Sequence, residues 1–186
     1  MTILFIHGLA SSGAYKMADS LRILLKPCEV IAPDVPIEPE AALALLRSVC
    51  AEREPDLVVG LSLGGFWAQK LRGRRKILVN PDFHPSALLR SMIGEVKYLS
   101  PRRDGAVSFS LTEEICRGYE ALEAGEFEGL DAAEIACTTG MFAEGDELVH
   151  CGDEFERHYP GRRVDYPGGH LPVFPELKRY LVPLVV

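Results

Sequence analysis

Long apolar runs are missing from this sequence. No stretch approaches the roughly 20 residues a membrane-spanning helix needs, so the expectation is a protein with no membrane span. No charged-then-apolar leader precedes the first strand pattern, so no secretory signal is expected and the location implied is cytoplasmic. Cysteines are few and odd in number. The five, Cys28, Cys50, Cys116, Cys137 and Cys151, are scattered, which suits reduced thiols and excludes a disulfide framework. A surplus of basic charge is lacking too. The 20 Lys and Arg stand against 27 Asp and Glu, a net charge of −7, and no basic stripe or stacking motif is present, so a nucleic-acid binder is excluded. Tight metal-ligand spacing is also absent. His150, Cys151 and His158 come nearest and read as helix or loop surface, so no metal is expected.

What remains is an ordinary globular composition. Of 186 residues, 47% are hydrophobic and 25% charged, which fits one domain over residues 1–186. There is no internal repeat and no low-complexity linker. The hydrophobic pattern predicts strands near 2–6, 28–32, 57–61, 76–80, 136–142 and 162–166. It predicts helices near 15–26, 39–52, 63–72, 84–92, 112–124, 147–159 and 174–182. Such alternation implies an α/β fold with a mostly parallel sheet and helices on both faces. Residues 93–135 interrupt the rhythm. Gly94 to Gly105 reads as a polar loop, and the whole stretch as a small insertion over the functional edge, in which Tyr98, Phe109 and Tyr119 either face a ligand or simply pack onto the body. The one basic cluster, Arg72 to Lys76, reads as a solvated loop.

The chemistry is concentrated in four short blocks. The first is Asp56-Leu57-Val58-Val59-Gly60-Leu61-Ser62-Leu63-Gly64-Gly65, where an apolar strand ends in Gly-x-Ser-x-Gly and a helical segment follows. Strand, sharp turn and helix are what a nucleophile elbow requires. The turn is strained, and Gly60 and Gly64 remove the Cβ atoms that would collide beside Ser62. The Leu63 N–H, at the helix start, points where negative charge is favoured. The second block is Phe5-Ile6-His7-Gly8-Leu9-Ala10-Ser11-Ser12. A loop after the first strand supplies the second oxyanion donor in this arrangement, and by position that is the N–H of Leu9, reached through the Gly8 turn. His7 precedes Ser62 and reads as structural, since the order expected is serine, acid, histidine.

The third block, Gly168-Gly169-His170, puts a histidine on a glycine-rich loop after a late strand, the place for a general base. The fourth is the acid. Asp146, in Glu144-Gly145-Asp146-Glu147, follows the strand before that loop and fits the orienting role; Asp82, after Val79-Asn80-Pro81, is the alternative.

Taken together, these blocks resemble the small α/β-hydrolases of the YqiA-like esterase family, and they occur in that family's order. The Asn-Pro and Gly-Asp-Glu blocks and the short length are what narrow the resemblance. It implies an esterase or thioesterase with a triad of Ser62, Asp146 and His170, and it favours Asp146 over Asp82. The reaction expected is attack by Ser62 on a small-molecule ester or thioester to give an acyl-enzyme. Leu9 and Leu63 would hold the oxyanion, and no cofactor or metal would be needed. The alternatives are another bond, peptide, lactone or carbon–carbon, or a hydrolase-like binding protein without turnover. Oligomeric state and physiological substrate are not encoded in these motifs.

Overall fold

Residues 1–185 are described by the computed structural model of the chain. Strands that are apolar at nearly every position form the middle of its sheet. In β1 (Thr2–Ile6), β3 (Leu57–Leu61) and β4 (Lys76–Val79), nearly every side chain is buried. Alternate residues serve opposite faces, as the pleat demands. Leu4, Ile6, Val58 and Leu78 pack with Phe66, Trp67, Tyr119 and Phe155 on one side. Ile3, Phe5, Leu57, Val59, Ile77 and Val79 pack with Met17, Leu21, Leu177 and Leu181 on the other. Two cores on two faces are what a sheet covered by helices on both sides requires.

With β2 (Glu29–Ile31), β7 (Thr138–Ala143) and β8 (Arg163–Tyr166), the sheet has six strands in the order β2-β1-β3-β4-β7-β8. Every neighbouring pair is parallel. All C-terminal strand ends therefore share one edge. The strand order reverses between β1 and β3, the crevice where parallel sheets of this kind bind ligands. Connections run through α1 (Lys16–Leu24), α2 (Pro39–Arg53), α3 (Leu63–Lys70), α4 (Pro85–Ser91), α5 (Glu113–Glu123), α6 (Ala132–Cys137) and α7 (Gly152–His158). A C-terminal helical run follows, made of Phe174–Glu176, a π-helical turn at Leu177–Leu181, and Val182–Val185. No helix among the described residues is long and apolar enough to cross a membrane.

The region 93–135 differs from the sequence reading. Gly94 to Gly105 is not simply a loop. Strands β5 (Gly94–Lys97) and β6 (Ser108–Leu111) form an antiparallel hairpin apart from the main sheet. The strand expected from 136 begins at Thr138, because Ala132–Cys137 is helical. Asp131 caps that helix by accepting from the Glu134 N–H, and alanine favours it. The helix expected from 147 begins at Gly152, because Leu148 and Val149 are held by Asp146 in a turn.

The basic cluster is a solvated loop only in part: Gly73 and Arg75 are exposed between α3 and β4, but Lys76 belongs to β4. Lys76 is fully buried and bonded to Glu134 at 2.5 Å and to the Leu71 carbonyl at 2.9 Å. Burial pulls its ammonium below the ordinary lysine range, and Glu134 opposes that shift. Arg72, Arg74 and Arg75 donate to the carbonyls of Glu126, Cys50 and Leu184. These cations tie α2, β4, the α5–α6 connection and the C-terminal run together.

Candidate active site

Ser62 connects β3 to α3 in a conformation side chains rarely adopt, with φ 54° and ψ −119°. The strain holds because the neighbours leave no other path. A Cβ on Gly60 would stand 2.2 Å from the Gly64 carbonyl oxygen, and one on Gly64 would stand 2.0 Å from the Ile6 carbonyl oxygen. Only glycine lets α3 approach β1 and β3 this closely. The Ser62 N–H donates to the Val79 carbonyl at 3.0 Å, and the Ser62 carbonyl accepts from Gly65 at 2.7 Å. The backbone is thus fixed on both sides of the hydroxyl.

His170 sits on the loop after β8, and its Nε2 lies 2.9 Å from Ser62 Oγ. Its Nδ1 lies 2.8 Å from Asp146 Oδ2. A carboxylate only accepts, so Nδ1 carries the proton and Nε2 is left to accept from the serine hydroxyl. The second oxygen of Asp146 is held as well. Oδ1 accepts from the N–H groups of Leu148 at 2.8 Å and Val149 at 3.0 Å. Asp146 is buried and His170 nearly so, whereas Glu144 and Glu147 are exposed.

Asp82 lies in the same neighbourhood but is turned to its own helix. Its Oδ1 accepts from the His84 N–H at 3.0 Å, where α4 begins. Burial raises its carboxyl above the usual range. The acid on Nδ1 is Asp146.

His7 is locked by two backbone groups. Nδ1 donates to the Gly8 carbonyl at 2.8 Å, and Nε2 accepts from the Val35 N–H at 3.0 Å. Burial drives its pKa down to about 4, so the ring is neutral. It fixes the loop that carries Gly8 and Leu9 beside the serine. A Cβ on Gly8 would meet Ser62 Cβ at 3.4 Å. The Leu63 N–H, first in α3, is among the donors that no intrahelical carbonyl reaches.

Ser62 and His170 open into a cavity of about 250 Å³. Its apolar lining comes from separate segments: Leu88 and Met92 near α4, Leu99 after the hairpin's first strand, Leu148 after β7, and Leu171 beside the histidine. Leu99 is 80% exposed and Leu148 73%, so the rim presents aliphatic side chains to solvent. Among the described residues, the lining includes no Asp, Glu, Lys or Arg. The rim was not legible in the sequence: Leu88 and Met92 share a helix face, but the other three residues come from separate loops far apart in the chain.

Tyr98, Phe109 and Tyr119 do not line that cavity. Tyr119 is fully buried against Trp67 at 5.4 Å between ring centroids. Tyr98 and Phe109 face each other at 5.0 Å and, with Leu9, Leu63 and Trp67, enclose a separate small void. The hairpin is pinned in place. Leu99 N–H donates to the Ala10 carbonyl at 2.7 Å, and Ser12 Oγ donates to the Pro101 carbonyl at 2.6 Å. His150 and His158 stand apart in role: His150 is exposed, and His158 stacks on Phe127.

A six-stranded parallel sheet with helices on both faces, an elbow at its central crevice and an acid and a histidine at later strand ends define an α/β-hydrolase fold. Solved structures agree on the fold. A methylesterase from Arabidopsis superposes with a TM-score of 0.65 at 12% identity, covering 100% of this chain and 98% of its own. A carboxylesterase structure from the thaumarchaeon Nitrososphaera gargenis gives 0.60 at 13% identity, covering 99% and 88%. An N-acyl homoserine lactonase gives 0.56 at 15% identity, covering 99% and 88%. Within that fold the chain belongs to the Uncharacterised protein family (UPF0227), whose model matches residues 2–108. A "UPF0227 protein" from Shewanella oneidensis is 22% identical over 189 residues, covering 96% of this chain and 94% of the relative. The YqiA-like resemblance read from the sequence blocks accords with both matches.

Proposed function

We propose that the protein is a serine hydrolase that cleaves a carboxylic ester or thioester through an acyl-enzyme. The observation that carries this reading is the continuous chain from Ser62 Oγ through His170 to Asp146, opening into an apolar cavity. Ser62 attacks the substrate carbonyl while His170 Nε2 takes its proton. Asp146 holds the imidazole in the tautomer that leaves Nε2 free and stabilises the imidazolium that forms. The N–H groups of Leu9 and Leu63 receive the oxyanion, each such donor contributing on the order of 3 kcal/mol. His170 then protonates the leaving group, and water, deprotonated by the same nitrogen, releases the acyl group.

The cavity supports an uncharged acyl group of small or medium size. At about 250 Å³ it lies below the usual volume of pockets for drug-sized ligands, and its walls offer aliphatic contact and no countercharge. Methylesterase, carboxylesterase and lactonase neighbours on the same fold agree with acyl transfer as the reaction type. The test is to assay purified protein against p-nitrophenyl esters and acyl thioesters of graded length. Hydrolysis of short and medium chains that depends on Ser62 is expected. Hydrolysis unaffected by Ser62→Ala, or none with any ester or thioester, rejects the reading.

A further inference from the structure

Neither Asp146 nor His170 is held by its own loop alone. Both loops converge on one side chain, that of Asn80, the residue after β4. Asn80 is 1% exposed and sits at φ 43°, in the left-handed region that asparagine tolerates better than most residues. Its Nδ2 donates to the His170 carbonyl at 2.8 Å and to the Tyr166 hydroxyl oxygen at 2.9 Å, with the Gly169 carbonyl at 3.4 Å. Its Oδ1 accepts from the Ala143 N–H at 2.8 Å. Ala143 ends β7, and its own carbonyl accepts from the Asp146 N–H at 3.3 Å. The Asn80 N–H adds a bond to the Met141 carbonyl at 2.8 Å. One amide thus binds the backbone that carries the base with its nitrogen and the backbone that leads to the acid with its oxygen.

From this geometry we infer that Asn80 is a positioning residue: it sets the distance between the Asp146 and His170 loops, and so holds His170 Nε2 against Ser62. The inference rests on the proposed roles of Ser62 and His170. Asparagine suits the task for three reasons. It offers a donor and an acceptor on one rigid plane. It accepts a positive φ. Buried among carbonyl oxygens and N–H groups, it is fully satisfied, so the network is stiff. The neighbouring cross-links share the load. Gly145 N–H donates to the Gly168 carbonyl at 2.9 Å, and Glu144 N–H to the Tyr166 carbonyl at 2.9 Å. These join the two loops to each other, whereas Asn80 joins them to the end of β4, one strand from the serine.

Two variants separate positioning from folding. Asn80→Gly keeps the positive φ and removes both arms. Asn80→Asp keeps the acceptor for Ala143 and replaces the donor to the His170 loop by a carboxylate oxygen that repels the His170 and Gly169 carbonyls. A misplacement of about 1 Å costs on the order of 10²-fold. Each variant should therefore lose about that in kcat with KM little changed, while circular dichroism shows the fold intact. A second readout needs no substrate. In ¹⁵N imidazole spectra, wild-type His170 should report the Nδ1–H tautomer, and both variants should report a mixture. Folded variants with kcat within about threefold of wild type and an unchanged tautomer would overturn the inference. A wild type that hydrolyses nothing would reject the proposed function, and the spectra would still decide whether Asn80 holds the ring. Should one variant fail to fold, the other carries the same two readouts.

Discussion

Asp146 and Asp82 stand at neighbouring strand ends, and both are shielded from solvent, yet their surroundings assign them different work. Asp146 gives one oxygen to His170 and the other to two backbone N–H groups, so its orientation is fixed by three donors. Asp82 gives its oxygen to the start of α4. Replacing Asp146 by Asn leaves the volume but permits the wrong imidazole tautomer. We expect kcat to fall on the order of 10⁴-fold for Asp146→Asn. Asp82→Asn retains an acceptor for the His84 N–H and should keep most activity, with stability within about 1 kcal/mol of wild type. Steady-state kinetics and melting of the two variants side by side check both statements. At this scale the sequence was informative. In Gly-x-Ser-x-Gly, Gly60 and Gly64 mark a backbone constraint that only glycine meets, and the His-Gly turn and the Gly-Gly-His loop were legible from their order along the chain. The cavity rim was not legible, because Leu88, Met92, Leu99, Leu148 and Leu171 are ordinary leucines and a methionine until folding brings them together. Asn80 was visible only as part of a block, since its role depends on partners more than 60 positions away.

Elements place these residues through close approach. The start of α3 lies so near the end of β1 that a methyl group on Gly64 has no space: it would meet backbone oxygens of Ile6 and His7 at 2.0 Å and 2.7 Å. Backbone cannot swing aside as a side-chain end can. Gly64→Ala should therefore destabilise by at least the ~1–3 kcal/mol typical of overpacking. A lowered urea midpoint with an unchanged denaturant slope is the expected record. Since the displaced elements carry the serine and the Leu9 loop, ester hydrolysis should fall as well. The central strands were readable because full burial leaves an unbroken apolar run. The hairpin β5–β6 was not: its first strand is largely exposed, and Gly94 and Lys97 dilute the pattern. The boundary at Thr138 was obscured in another way. Cys137, Thr138 and Thr139 favour a strand, while the preceding Ala132–Ala136 favours a helix, and the sequence holds both preferences without a break.

For the molecule as a whole, His7 couples folding to pH. The folded pKa is about 4 against an ordinary 6.5, because burial disfavours the charged ring. Below 6.5 the unfolded chain takes up a proton that the folded chain refuses, so stability falls as the pH drops towards 4, by on the order of 3 kcal/mol from this group. Urea midpoints across that window should therefore decline with acid, and His7→Gln, while less stable near neutrality, should show a shallower decline. The cavity makes a second whole-molecule statement. Each methylene it buries contributes about 0.8 kcal/mol, roughly fourfold in kcat/KM, until the chain outgrows the walls. Acyl esters of increasing length should rise in that ratio and then level off. A carboxylate at the chain end should abolish the gain, because the lining offers no cation. Every step of the proposed reaction needs Ser62 to be an activated nucleophile, and a fluorophosphonate probe, which reacts covalently with such a serine, reads this out. One covalent adduct on Ser62 is expected by peptide mass mapping, lost in Ser62→Ala and strongly slowed in His170→Ala. Absence of an adduct on the folded wild-type protein, or labelling that persists undiminished in Ser62→Ala, would contradict that role for Ser62.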